Sequence, residues 1–236
     1  MPKLGTFNLH AALLPQYRGA APINWAVING ERMSGVTTFM IDKDIDTGGI
    51  MLRQECRIGP DETAGDLHDK LMPIGADLVV QTVEGIIQHN IETRVQRSFI
   101  QGSELLHPAP KLTRELQQID WNDSTRRIYN LIRGLSPFPC ALTFLEKDGE
   151  STQLKIYFGE ERSDLHAAPG TVLSDGKTYL AIATADGAIA LKDIQLAGKK
   201  RMDVQSFLLG FRDPCSYKAA EGTSKAEIEK AKPLES

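Results

Sequence analysis

The chain has 236 residues, 41% hydrophobic and 25% charged, enough for one large globular domain or two modest ones. Its formal net charge of −4 excludes a bulk basic field, so any nucleic-acid contact must rest on a local patch. Cys56, Cys140 and Cys215 form no CxxC pair, no apolar run approaches the ~20 residues of a membrane span, and the start lacks a secretion-signal layout; a soluble cytoplasmic protein without disulfides or structural zinc is expected.

Phe7-Asn8-Leu9-His10 alternates apolar and polar residues, which predicts a strand with Asn8 and His10 on one face and Phe7 and Leu9 on the other. After the loop "AALLPQYRGAAP" comes a helix over 20–30, with Pro22 near its start and Gly30 at its end. The β-branched run 36–41 and the segment 49–59 predict two strands joined by a polar loop, "DKDIDTGG". Thr63-Ala64-Gly65-Asp66 reads as a capping box, and Leu67, Leu71, Ile74, Leu78 and Ile86 extend a helix behind it. Residues 1–90 form the first predicted domain.

Periodicity fades over 91–112, where Pro108 and Pro110 bracket "HPAPK", and this stretch is expected to be a linker. The second domain, 113–218, begins with a short helix capped by Ser124 and stopped by Gly134. Short strands with Asp-Gly turns follow, which predicts a small barrel or sandwich. Residues 219–236 are charged, poor in aromatics, and expected to form a loose tail.

Asn8 and His10 stand two apart at the carboxyl end of a strand, where open α/β sheets bind ligands. If the two polar loops are neighbours, Asp46 holds His10. An amide donor beside a His–Asp pair suits attack on a carbonyl: Asn8 donates to a developing oxyanion, while His10 handles a proton or, as imidazolium, stabilises negative charge. With no activated Ser or Cys nearby, direct transfer to an outside nucleophile is favoured over a covalent intermediate. The same residues could simply tie down a loop. A metal site is disfavoured because Asn is a poor ligand and no second His is close. An aspartic protease needs two facing Asp-Thr-Gly motifs, and there is one.

In the second domain, Lys192, Lys199, Lys200, Arg201 and Arg212 stand against Asp193 and Asp203, a local surplus of three, with Arg126, Arg127 and Arg133 on the short helix. Such a face can meet phosphates, or it can be an ordinary solvated turn.

Taken in order, "FNLHAALLPQYRGAAPINWA", "DKDIDTGG", "APKL", "IDW", "IRGLSPFPCA" and "LAGKKRM" resemble the methionyl-tRNA formyltransferase family from about residue 2 to residue 212. The first two motifs are shared with other formyltransferases and hydrolases that use 10-formyltetrahydrofolate; the later ones narrow the resemblance to the tRNA enzymes. It implies an α/β fold, with part of a Rossmann-like formyltransferase domain followed by a small OB-like β-barrel. It implies transfer of a formyl group from 10-formyltetrahydrofolate to the amine of initiator methionyl-tRNA, without a metal, by a protein that is monomeric when full length. The family's catalytic residues fall on Asn8, His10 and Asp46, and its folate-contacting loop on Ala12, Leu13, Leu14 and Pro15; with the barrel as the tRNA-binding module, the basic residues Arg133, Lys199, Lys200 and Arg201 are the expected tRNA contacts.

Ala12 stands where the family usually has Ser, and a lost hydroxyl bond worth about 1 kcal/mol would weaken folate binding. Lys43-Asp44 replaces small residues before the catalytic Asp. The resemblance also implies roughly a hundred further residues ahead of Met1, the earlier part of the Rossmann-like sheet. A truncated enzyme is therefore expected, with a non-catalytic RNA-binding fragment and a sugar-nucleotide formyltransferase as rivals; "GKKRM" argues against the latter.

Overall fold

In the computed structural model the structure describes residues 2, 4–100, 102–103 and 105–220, in two units: one runs to Lys111 and the other begins at Leu112. The first unit opens with β1 (Phe7–His10), α1 (Pro22–Ile28), β2 (Met33–Met40) and β3 (Ile50–Arg57). Pro22, whose fixed φ suits a first helical turn, starts α1, and Gly30 at φ 74° follows its end. The strands form an antiparallel sheet in the order β1-β2-β3, in which β1 pairs with β2 alone among the described residues.

Thr63 caps α2 (Ala64–Ile87): its hydroxyl accepts from the Asp66 N–H while the Asp66 carboxylate accepts from the Thr63 N–H, so two orphan donors of the first turn are satisfied. The buried stripe is Ala64, Leu67, Leu71, Gly75, Leu78 and Thr82, with Ile74 only half-buried. Gly75 makes room for Leu9, since a Cβ there would stand 2.8 Å from the Leu9 side chain. Together with the 2.8 Å bond between the Thr38 and Thr82 hydroxyls, this places α2 on the Leu9–Thr38 face of the sheet. Asn8, His10, Thr37 and Phe39 therefore line the opposite face, because side chains alternate along β1 and β2.

The segment expected as a linker, 91–112, is built into this first unit as far as Lys111. A short 3-10 helix (Gln96–Phe99) packs Phe99 on the cluster of Leu14, Phe39 and Ile50, and Ala109 bridges Gly19 in parallel. The Trp25 indole N–H donates to the Pro110 carbonyl at 2.8 Å. Proline-rich backbone without periodicity reads as a linker in sequence, yet its free carbonyls serve equally well as acceptors for a buried loop.

In the second unit, α3 (Thr125–Leu135) is capped by Ser124, whose hydroxyl accepts from the Arg127 N–H. Gly134 is not its stop but a buried interior residue: the helix ends at Ser136, held extended (φ −89°, ψ 139°) because Pro137 disfavours a helical residue before it. There follow β4 (Ala141–Lys147), β5 (Glu150–Arg162), β6 (Val172–Ser174), β7 (Leu180–Ala183), β8 (Ala188–Leu196), β9 (Met202–Asp203), α4 (Val204–Gly210) and β10 (Lys218–Ala219).

The sheet runs β10-β4-β5-β8-β7-β6 with β9 on β8, and the Thr171–Lys218 bridge brings its two ends together into a nearly closed barrel. Asp148 and Gly149, both at positive φ, make the tight turn between β4 and β5. Ala219 and Ala220 belong to this barrel; the remainder of the expected tail, 221–236, lies outside the described residues. Among the described residues no helix is long and apolar enough to cross a membrane.

Candidate active site

β1 ends on His10, and the loop that follows covers its ring, leaving it 6% exposed. Its Nε2–H donates to the Tyr17 carbonyl at 2.8 Å, so the neutral ring carries its proton on Nε2 and Nδ1 is bare. Nδ1 lies 3.7 Å from Asp46 Oδ2, close enough for an ion pair and too long for a hydrogen bond. Burial holds the imidazole below its ordinary value; the Tyr17 carbonyl and the Asp46 charge act the other way. His10 is therefore neutral near neutral pH.

Both partners of the ring belong to residues in the left-handed region, Tyr17 at φ 59° and Asp46 at φ 55°. Side-chain-bearing residues hold that conformation only where surrounding contacts over-determine it. Around Tyr17, the hydroxyl donates to Glu31 at 2.7 Å and accepts from Asn29 at 3.2 Å, and the ring stacks on His107. Burial, reinforced by Glu31, pushes that hydroxyl well above its ordinary pKa.

Around Asp46, Oδ2 accepts from the Gly19 N–H at 3.0 Å. Gly19 sits at φ 127°, and a Cβ there would come within 2.4 Å of the Ala109 carbonyl oxygen, so only glycine fits. At Gly48 a Cβ would fall 1.6 Å from the Met40 carbonyl oxygen.

The residue that sequence reasoning missed is Gln96. It is 4% exposed and lies inside the supposed linker. Its amide donates to the carbonyls of Asp46 (2.6 Å) and Gly48 (2.9 Å), and its Oε1 accepts from Arg18 Nε (3.0 Å) and Nη2 (2.7 Å). The half-buried Arg18 guanidinium is held below its ordinary pKa by burial, against the pull of Asp46. A lone glutamine among exposed Arg94, Val95 and Arg97 carries no local signal of this role.

Asn8, the exposed member of the predicted trio, has Oδ1 engaged by the Leu9 N–H at 2.9 Å. That leaves its NH2 group as the available donor, with no hydrogen-bond partner among the described residues. The predicted folate-contacting loop is different. Ala12, Leu14 and Pro15 are buried, and Leu13 is half-buried against Gly35. The Thr37 hydroxyl ties the loop down, donating to the Ala12 carbonyl (2.6 Å) and accepting from the Leu14 N–H (3.1 Å). A serine hydroxyl in place of the Ala12 methyl would itself need a buried partner, so its absence here does not remove a solvent-facing donor.

In the second unit the predicted basic residues separate. Arg133 is 3% exposed, its Nε donates to Asn130 and its guanidinium lies by the Tyr129 ring, so it does not present its charge on an open RNA-binding surface. Its burial is that of the whole C-terminal part of α3, in which every residue from Ile128 to Leu135 is buried. Arg201 donates to Asp193 and stacks over Tyr157, while Lys192 pairs with Glu160. Lys199 and Lys200 remain exposed, with no carboxylate in ion-pair range among the described residues.

An amide donor beside a buried histidine–carboxylate pair, on a mixed α/β unit followed by a barrel, defines a class. The family models described as "Formyl transferase" and "Formyl transferase, C-terminal domain" match residues 1–83 and 111–212. Crystal structures of HypX from Aquifex aeolicus with tetrahydrofolic acid (TM-score 0.63, 20% identity, 87% of this chain and 35% of that one) and of an N-formyltransferase from Helicobacter canadensis with folinic acid and dTDP-3-aminofucose (TM-score 0.59, 21% identity, 83% and 66%) share the fold.

The chain is 46% identical over 219 residues to the methionyl-tRNA formyltransferase of Parabacteroides distasonis (92% of this chain, 68% of the relative) and 51% identical over 214 residues to that of Azobacteroides pseudotrichonymphae (89% and 66%). It belongs to the methionyl-tRNA formyltransferase family and spans about two thirds of the length of these relatives.

Proposed function

We propose that the chain carries the formyl-transfer centre of a methionyl-tRNA formyltransferase, moving a formyl group from 10-formyltetrahydrofolate to the amine of initiator methionyl-tRNA. The observation that carries this reading is the free Asn8 amide on the strand that also delivers His10 to Asp46. When bound, the folate donor supplies an activated formyl carbon.

As the amine attacks that carbon, the Asn8 NH2 donates to the formyl oxygen, where negative charge develops. The bare Nδ1 of neutral His10 takes the proton the amine sheds, and Asp46 stabilises the imidazolium so formed. A new C–N bond forms, the bond from carbon to the folate N10 breaks, and the proton passes from His10 to N10. Proton transfer by neutral His10 is favoured over a standing imidazolium because burial lowers its pKa.

In this reading the antiparallel strands of the first unit are the later part of a Rossmann-like domain, and the barrel is an OB-like module that meets tRNA through Lys199 and Lys200, with Arg201 braced by Asp193. Arg133 has no contact role. Ala12, Leu13, Leu14 and Pro15 shape the folate side of the centre by fixing the loop, and the ligand is left to meet their backbone. The setting is cytoplasmic, and the full-length protein is a monomer.

The test is formyl transfer from 10-formyltetrahydrofolate to charged initiator tRNA. The chain is expected to transfer formyl, and His10→Ala to lower turnover roughly 10²- to 10⁴-fold with tRNA binding unchanged. Transfer that is indifferent to His10 would overturn the assignment.

A further inference from the structure

We propose that Gln96 is a positioning residue for this reaction: its buried carboxamide clamps the Asp46 loop in the geometry that sets the carboxylate opposite His10. The inference rests on the formyl-transfer reading for its kinetic consequence, while the clamp itself is a matter of geometry.

A carboxamide has two N–H donors and one oxygen with two lone pairs, and at Gln96 all four are used. The donors reach the Asp46 and Gly48 carbonyls, on either side of Thr47, and the oxygen receives two N–H groups of Arg18. Arg18 precedes Gly19, whose own N–H holds Asp46 Oδ2. Asp46 is thus pinned through its main chain by Gln96 and through its carboxylate by Gly19, and Gln96 ties the two pinning segments to each other.

Asp46 stands at φ 55°, in the left-handed region, which aspartate tolerates better than most residues but at a cost that bonds to its main chain offset. Glutamate at position 96 would turn a carboxylate oxygen onto two carbonyls, and methionine would fill the space without a bond. Among the described residues Gln96 makes no hydrogen bond to His10, so it acts through Asp46.

The groups facing His10 are few. Asp46 comes from the loop between β2 and β3, the Tyr17 carbonyl from the loop after β1, and the edge-on ring of Phe39 from β2. Arg18 feels the Asp46 charge while its guanidinium donates to Gln96, and the Tyr17 hydroxyl is turned away onto Glu31. Asp46 is therefore the one carboxylate within ion-pair distance of the imidazole among the described residues, and displacing it must register on the ring.

The experiment follows the His10 C2–H resonance by NMR titration, assigned by its loss in His10→Asn, in the 236-residue chain and in Gln96→Met, Asp46→Asn and the double variant. Gln96→Met is expected to lower the His10 pKa in the same direction as Asp46→Asn, with no further fall in the double variant. In the transfer assay it should lower kcat roughly 10²-fold while leaving KM for tRNA unchanged.

A folded Gln96→Met whose His10 titrates as in the unaltered chain overturns the clamp, as do shifts that add in the double variant. Should Gln96→Met fail to fold, Gln96→Asn replaces it. Its shorter amide reaches either the two carbonyls or Arg18 but not both, so it is expected to give a smaller shift of the same sign, and no shift overturns the proposal. If the unaltered chain transfers no formyl group, the functional reading fails and the titration still decides the clamp.

Discussion

The loop that carries Asp46 and the turn that carries Lys199 and Lys200 are both short polar connections between antiparallel strands, and they are held in opposite ways. Asp46 is fixed from a distance in the chain: Gly19, 27 residues before it, and Gln96, 50 residues after it, supply the bonds. The basic turn is fixed mainly by its own neighbours, with the Ala197 N–H on the Gln153 carbonyl and Arg201 over Tyr157 as its longer-range ties. The Lys199 N–H donates to the Leu196 carbonyl, Gln195 donates to the Lys199 carbonyl, and Arg201 reaches Asp193 eight residues back. A carboxylate that must stand a set distance from a histidine needs walls built from elsewhere in the fold, because small displacements erase its effect. A charge that acts on a phosphate through its field needs exposure and little else.

A pair of glycines tests this contrast most severely. Gly48→Ala puts a methyl into the Met40 carbonyl, so backbone must move. Thermal or urea unfolding should show a loss of about 1–3 kcal/mol, and formyl transfer should fall roughly 10²-fold. Gly198→Ala, in the basic turn, meets nothing within 4 Å and strains only its φ of 74°. It is expected to lose about 1–2 kcal/mol of stability and to keep its kcat. Equal losses of kcat in the two variants would abolish the distinction.

A smaller effect is expected from charge alone. Replacing Lys199 and Lys200 together by Gln should weaken tRNA binding and reduce the slope of log affinity against log salt by about 2. Turnover at saturating tRNA should not change, since neither lysine belongs to the unit that holds His10. An unaltered salt slope would remove this turn from the RNA-binding surface.

The same contrast explains what could be read from the sequence. Where a signal is local, it was legible: the Thr63–Asp66 capping box, the Pro22 start of α1, the Ser124 cap, and the alternation that puts Asn8 and His10 on one face. Asp46 was reachable because carbonyl chemistry beside a histidine calls for a carboxylate, and the polar loop offered one. Gln96 was not, since its four bonds join residues between 48 and 78 positions away in sequence. Arg133 misled because a charge reads as exposed until it is known that α3 is buried all round from Ile128 to Leu135 and that Asn130 accepts from the guanidinium. Gly134 misled because the following proline, not the glycine, ends α3.

The smallest predicted effect concerns acid. His10 in the folded chain titrates below its ordinary value, so over the interval between that lowered value and about 6.5 the unfolded chain binds a proton that the folded chain refuses. The stability contributed by keeping the ring neutral is complete above that interval and is lost as pH falls through it. Unfolding midpoints measured between about pH 8 and about pH 5 should therefore drop less in His10→Asn than in the unaltered chain. Asp46→Asn should drop more, because removing the carboxylate 3.7 Å from Nδ1 deepens the lowering that burial has begun. If Asp46→Asn and the unaltered chain fall in parallel, the Asp46 charge does not reach the ring across that gap, and the two loops would then differ in how they are held but not in what holding them achieves.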